Sequence, residues 1–216
     1  MKDSGNLLIK NAAQLVTCSG FEAKKGIDMK DLHLIDDGAV VIESGIIRLT
    51  GKTSDIMNEV DEREYEVIDA AGKAVLPGFV DSHTHFVFGG DRAEEFTWRL
   101  RGTDYMEIMK RGGGILSTVR DTRTSTSKEL YDSGFTRLTA MLANGVTTVE
   151  GKSGYGLDLE TELKQLDVMN QINENHPVDV AVTFMGPHAV PAEYKGNEDG
   201  FIEEMINRVL PIVRDK

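Results

Sequence analysis

Short apolar, β-branched runs separated by turn residues characterise the first part of the chain. Leu7–Ile9 and Gln14–Thr17 are two such runs, and residues 38–49 contain two more around a Ser-Gly turn. Paired runs of this length with a glycine-containing turn between them are typical of β-hairpins. We therefore predict a β-rich N-terminal domain, of a small β-sandwich-like kind, over residues 1–74.

From residue 75 onward, strand-like runs alternate with helical periodicity. Buried-type strands are predicted to begin at Phe79, Val146 and Val178. Helices are predicted over 127–144, 159–175 and 201–213, and the second of them has apolar residues at helical spacing. Thr126 with Glu129 forms a possible capping box for the first of these helices, and Asp158 is a possible N-cap for the second. This alternation is typical of a parallel sheet with helical crossovers.

The number of strands limits the architecture. A closed (β/α)8 barrel needs about 250 residues, whereas residues 75–216 contain three strong strand candidates. The fold class predicted is α/β: a partial (β/α)8 TIM-type barrel, C-terminally truncated, that follows the β-rich domain. A complete small doubly wound sheet is the structural alternative.

Composition narrows the class of function. The formal net charge is −12 over 216 residues, and no dense basic patch is present, so nucleic acid and anionic membranes are poor partners. Cys18 is the single cysteine of the sequence, which excludes an intrachain disulfide and favours the cytoplasm. The N-terminal stretch has no long apolar core typical of a secretory signal, and no apolar run reaches the roughly 20 residues that span a bilayer.

His83 and His85 form the sharpest chemical signal. Side chains two residues apart on a strand point to the same face, so both imidazoles can reach one metal ion. The pair ends its strand, where α/β barrels carry their active sites, and Asp81 shares its face as a candidate supporting carboxylate. A bare His-x-His also occurs as two unrelated histidines at a strand end.

The surrounding segments carry a family resemblance. Residues 76–85, Leu-Pro-Gly-Phe-Val-Asp-Ser-His-Thr-His, resemble the first barrel strand of the amidohydrolase superfamily, which follows a β-rich domain. Within that superfamily, residues 88–96, 112–115, 150–157 and 184–191 resemble segments of the imidazolonepropionase family. The resemblance covers essentially the whole chain. It implies the N-terminal part of such an enzyme, with a partial barrel of the metal-dependent hydrolase kind.

The resemblance implies a reaction and a division of the site. A divalent ion, zinc or iron, would activate water to open the ring of 4-imidazolone-5-propanoate and give N-formimino-L-glutamate in histidine degradation. His83 and His85 would be two of the metal ligands. The further ligands and the acid–base group are expected beyond residue 216, so the catalytic residues are unknown.

Four residues are predicted to bind the substrate. Arg92 follows a Gly-Gly loop and suits the propionate group, because guanidinium binds carboxylates bidentately. Tyr155 lies between two glycines, and the resemblance favours His188 for contact with the imidazolone ring. Tyr105 is a candidate with packing as an equal alternative. His33 and His176 are interpreted as solvated.

Two other interpretations remain open at this point. One is another amidohydrolase, such as a deaminase, which shares the His-x-His strand but is expected to lack Arg92 and the 150–157 loop. The other is a non-catalytic fragment, since the remaining ligands are absent from the sequence. The expected partner is the small-molecule substrate, with a homodimer left open.

Overall fold

The computed structural model describes residues 5–20 and 22–215, which fall into two compact units divided between Pro77 and Gly78. The first four residues belong to the N-terminal stretch examined above for a secretory signal and lie outside the described residues. Helices in the described part of the chain lack the length and apolar character needed to cross a bilayer.

The first unit contains one five-stranded sheet, in the order β3-β2-β1-β4, with β5 also paired to β1. Strands β1 to β3 pair antiparallel, whereas β4 and β5 both run parallel to β1. A short helix, α1, follows β3. The bounds are β1 Leu7–Val16, β2 Leu34–Glu43, β3 Ile46–Lys52, α1 Thr53–Ile56, β4 Glu66–Asp69 and β5 Ala74–Val75, with 3-10 turns at Gly26–Lys30 and Glu62–Glu64.

Local backbone geometry explains how the sequence runs become strands. The two predicted runs near the N-terminus belong to a single strand, β1. A bulge between Ile9 and Ala12 interrupts its pairing with β2, and this interruption explains why the sequence shows two runs. Asn11 occupies the bulge with a φ of 59°. The predicted hairpin of β2 and β3 is confirmed. Ser44 and Gly45 form its turn with φ values of 51° and 78°, as the twist-compatible two-residue turns require.

The second unit contains three parallel strands in sequence order, β6-β7-β8, with helical crossovers between them. This arrangement is the one that the alternating pattern predicts. The strands are β6 Phe79–Thr84, β7 Val146–Lys152 and β8 Asp179–Thr183; the helices are α2 Ala93–Leu100, α3 Tyr105–Lys110, α4 Ile115–Thr124, α5 Ser127–Ala143, α6 Leu159–Asn175, α7 Glu198–Glu204 and α8 Leu210–Arg214.

The helix-capping predictions are confirmed. Thr126 and Glu129 form a reciprocal capping box at the start of α5, and the Asp158 side chain accepts the Thr161 N–H at the start of α6. Gly145 follows α5 with a φ of 88°, a conformation that favours glycine. These caps set where both crossover helices begin.

The predicted helix over 201–213 is present but is not regular. A π-helical turn, Met205–Val209, lies between α7 and α8. Pro211 lacks the N–H that would continue the hydrogen-bond ladder, which accounts for the widened turn just before it.

The core of the second unit lies between the sheet and helices α5 and α6. It is formed by buried aliphatic side chains from all three, with Phe86 and Val87 from the segment after β6: Phe86, Val87, Leu130, Leu138, Val149, Leu166, Val168, Met169, Ile172, Val178 and Val180. His176 also belongs to this interior, with 2% of its surface exposed. Our interpretation of His176 as solvated is therefore wrong. Its Nδ1 lies 3.1 Å from the Val178 N–H, and its ring packs edge-on against Phe135.

Candidate active site at the ends of the parallel strands

His83 and His85 lie at the carboxyl end of β6, the first strand of the parallel sheet. Their ring centroids are 5.6 Å apart, with the ring planes inclined by 57°. The Asp81 carboxylate accepts the His83 backbone N–H at 3.2 Å, which ties this carboxylate to the strand end. The two imidazoles are therefore close neighbours.

The ring nitrogens of His85 give the clearest indication of a ligand-binding site. Both of its ring nitrogens are buried, and neither has a hydrogen-bond partner among the described residues. Burial, and after it the neighbouring His188 and His83, lower the pKa of His85 to about 4, with the Ser153 backbone acting in the opposite direction. A neutral imidazole with a free nitrogen is the form that binds metal ions, so the donor chemistry at this position suits one.

Tyr155 and His188 meet His85 from two different loops. The His188 ring stacks on His85 with 4.8 Å between centroids and 8° between planes. The Tyr155 ring lies 4.8 Å from His85 and 5.6 Å from His188. Burial raises the pKa of the Tyr155 hydroxyl, opposed by the charge of Arg92, so the phenol stays protonated and can donate a hydrogen bond at neutral pH. Three of the residues singled out in the sequence therefore come together.

The Tyr155 loop is fastened to helix α6 by two buried polar side chains. The Glu162 carboxylate accepts the N–H groups of Gly154, Gly156 and Leu157 at 3.1, 2.8 and 2.8 Å. Burial raises the pKa of Glu162, while the Ser153 hydroxyl and these amides oppose that shift.

Gln165 completes the fastening of this loop. Its Oε1 accepts the Tyr155 N–H at 3.3 Å, and its Nε2 donates to the Val87 carbonyl at 2.8 Å. Neither α6 residue was singled out in the sequence, where Glu and Gln on a helix are typical of a solvated face.

Arg137 on α5 supports the segment that follows His85. Its Nη1 donates to the carbonyl groups of Phe86 and Phe88, each at 3.0 Å. The guanidinium also lies 3.6 Å from the centroid of the Phe88 ring, and that ring packs edge-on against Tyr155. Hydrogen bonds from Arg137 of α5 thus stabilise the backbone of residues 86–88, which follow His85.

Arg92 is already ion-paired with a carboxylate of its own chain. Its Nη2 and Nε donate to Glu95 Oε2 at 2.6 and 2.9 Å, and this contact raises the pKa of Arg92. Glu95 is buried and also accepts the Gly114 N–H at 2.8 Å. Tyr105, at the start of α3, is 48% exposed, with the Arg99 guanidinium 5.9 Å from its ring centroid.

An acidic–basic pair ends the neighbouring strand β7. The Lys152 ammonium donates to Glu150, and the Thr183 hydroxyl of β8 donates to the same carboxylate oxygen at 2.8 Å. The Lys152 contact holds the pKa of Glu150 below its ordinary value. Through the Thr183 contact, this pair links β7 to β8 at the carboxyl edge of the sheet, the edge at which β6 carries His83.

Within residues 5–20 and 22–215, no group of three or more histidine, cysteine or acidic side chains has the geometry of a complete metal site. The described part of the chain offers His83, on β6, and His85, just after it, as candidate ligands. Any fuller coordination sphere therefore needs groups from elsewhere.

Comparison with known proteins identifies the class. The Amidohydrolase family profile matches residues 66–114. The structure superposes on Escherichia coli guanine deaminase with a TM-score of 0.55 and 16% identity, covering 94% of this chain and 43% of that one. It also superposes on the zinc complex of atrazine chlorohydrolase from Arthrobacter aurescens, with a TM-score of 0.52 and 18% identity over 82% of this chain and 35% of that one. The fold is thus that of part of an amidohydrolase barrel.

A closer relationship appears in sequence. The chain is 56% identical to imidazolonepropionase of Clostridium tetani over 98% of its own length and 51% of the relative. Its sequence is thus similar to that of the imidazolonepropionase branch of the amidohydrolases. The chain spans about half the length of the curated relatives it matches.

Proposed function

We propose that the protein carrying this chain hydrolyses 4-imidazolone-5-propanoate to N-formimino-L-glutamate, a step of histidine degradation. The observation that carries the proposal is the His85 ring, whose two nitrogens are buried without a partner among the described residues, beside His83, Tyr155 and His188. The sequence relationship to imidazolonepropionases supports the choice of substrate.

The metal part of the proposal rests on the two histidines at the carboxyl end of β6. His83 and His85 would hold one divalent ion, zinc or iron, together with ligands from outside the described residues. The structurally similar atrazine chlorohydrolase was solved as a complex with zinc. When bound, such an ion supplies Lewis-acid chemistry for cleavage of the ring C–N bond.

The recognition part of the proposal assigns the substrate's two ends to different residues. Arg92 would bind the propionate carboxylate. Because Glu95 occupies its Nε and Nη2, the substrate is expected on the Nη1 side. Tyr155 would donate its hydroxyl to the ligand, and the His188 ring would lie against the planar imidazolone. Tyr105 would line the entrance near Arg92, in keeping with its partial exposure.

The experiment uses the full-length protein that contains this chain. It is purified, its metal content is measured, and the loss of imidazolone absorbance is followed together with formation of N-formimino-L-glutamate. We expect turnover that disappears on chelation and returns on addition of zinc or iron. His85→Ala should bind less than about a tenth of the wild-type metal, since ligand loss costs affinity heavily.

The matched control for His85→Ala is His33→Ala, because His33 is an exposed histidine of the first unit. This variant should keep both metal and turnover. A fully metal-loaded wild-type protein that leaves the imidazolone unchanged would contradict the proposal. We expect the protein in the cytoplasm. The mass of the same purified protein in solution reports whether it is a homodimer.

A further inference from the structure

We propose that Glu162 and Gln165 are positioning residues that hold Tyr155 against the His85–His188 pair. The inference rests on the proposed function in one respect, namely that Tyr155 contacts the substrate. Its structural basis is that four consecutive backbone N–H groups, those of residues 154–157, are all accepted by these two side chains.

The loop conformation depends on acceptors outside the loop. Gly154 has a φ of 108° and Leu157 a φ of 57°, and the left-handed region is unfavourable for a residue such as leucine. Gly154 also packs so closely that a Cβ would lie 2.8 Å from the Cβ of His188. A loop with strained dihedrals and four inward-facing donors persists only where its surroundings satisfy it.

Glu162 is not needed to begin helix α6. Asp158 already caps that helix through the Thr161 N–H. Glu162 is fully buried, and a buried carboxylate is costly unless hydrogen bonds compensate it. Its three amide partners all belong to the Tyr155 loop. The hydrogen bonds that compensate the buried carboxylate are therefore the same ones that fix the conformation of the loop.

Gln165 connects the two loops that form the site. Its amide accepts from Tyr155 and donates to Val87, which lies two residues after His85. The side chain is fully buried, so no water competes for these bonds. One amide therefore sets the distance between the segment that carries His85 and the segment that carries Tyr155.

The first test uses hydrogen exchange on the full-length protein that contains this chain and is independent of any activity. In wild type, the amides of 154–157 should be protected. Gln165→Met introduces an apolar side chain of similar length and removes both hydrogen bonds, and Glu162→Gln removes the charge while keeping the shape. Each variant should speed exchange in 154–157 by about tenfold or more, with α5 and the rest of α6 unchanged. Unchanged exchange in the loop would overturn the proposal.

The second test uses the full-length enzyme. Gln165→Met should lower kcat/KM by about tenfold to a hundredfold with wild-type metal content. The exposed Gln171 on the same helix supplies the matched control, Gln171→Met, which should change neither quantity.

A double-mutant cycle then separates positioning from general support. In a Tyr155→Ala background, Gln165→Met should cost less than about twofold, because its effect acts through Tyr155. An equal loss in both backgrounds would overturn the positioning role. A wild-type enzyme without turnover would refute the proposed function instead, and the exchange experiment would then decide the role of these residues alone.

Discussion

His85 and Glu162 are both buried polar side chains, and burial of a polar group costs free energy unless it is hydrogen-bonded. The two side chains differ in whether the chain provides such bonds. Glu162 accepts three backbone amides, so its burial is compensated within the chain. His85 keeps both ring nitrogens without a hydrogen-bond partner in the described part of the chain, so a bound ligand would compensate its burial. Buried polar atoms without partners are rare in folded proteins, which makes His85 the residue where a ligand is most expected.

The guanidinium of Arg92 provides a test at the same scale. Arg92→Lys keeps a positive charge but loses the planar fork that contacts Glu95 and would bind a carboxylate. We expect the KM of the full-length enzyme for the imidazolone substrate to rise about tenfold or more, with unchanged metal content. Arg101→Lys, at an exposed arginine after α2, should leave KM unchanged. Equal KM values for both variants would remove Arg92 from the binding site.

Acidic pH should act through Glu150. Its pKa in the folded protein lies below the ordinary value of 4.5 because Lys152 and Thr183 hydrogen-bond to the carboxylate. The stabilisation is therefore complete above pH 4.5 and is lost as the pH falls through the folded pKa. In urea unfolding between pH 6 and pH 3, Glu150→Gln should lose less stability than wild type. Exposed Glu160→Gln serves as the control, and identical slopes for Glu150→Gln and wild type would contradict the prediction.

At the scale of helices and strands, local sequence signals can determine where an element begins without determining which other elements it packs against. Thr126 with Glu129 and Asp158 with the Thr161 N–H cap α5 and α6 as their sequences indicate. Such caps depend on residues only a few positions apart, and this is why they can be recognised in sequence.

The capping box of α5 gives a prediction at the element scale. Thr126→Ala removes the acceptor for the Glu129 N–H and should lower the free energy of unfolding by about 1 kcal/mol. Urea unfolding measures this loss. Ser127→Ala, one residue further along and also exposed, should change it by less than about 0.5 kcal/mol. A Thr126→Ala variant as stable as Ser127→Ala would show that the cap contributes little.

The candidate site could be predicted only where spacing or resemblance determines it. The two-residue period of a strand brings His83 and His85 together, and their rings are neighbours in the structure. Tyr155 and His188 were found by resemblance. The bonds from Gln165 to Tyr155 and Val87 span 10 and 78 residues, and no local pattern encodes such long-range partners. The burial of His176 likewise depends on α5, which approaches it only in the folded unit.

At the scale of the whole molecule, the parallel sheet has two outer strands. Within the described residues, β6 and β8 each have a neighbour on one side only. Phe79 and Val80 on β6 are largely exposed. Unpaired strand edges with exposed apolar side chains favour association with other chains.

The 216 residues alone are therefore expected to self-associate and to lack useful turnover. Two histidines leave a metal under-ligated, because catalytic sites of this type usually hold three protein ligands. Light scattering after gel filtration gives the mass in solution, and the imidazolone assay with added zinc or iron gives the activity. A monomeric, cooperatively unfolding and active chain would contradict both expectations.

The sequence-ordered pairing of β6, β7 and β8 has a consequence for synthesis on the ribosome. Each strand joins the outer edge of a neighbour that was translated before it, so no strand has to insert between two that are already paired. Domains form from the N-terminus as the chain emerges, and here every completed strand–helix repeat leaves the next docking edge ready.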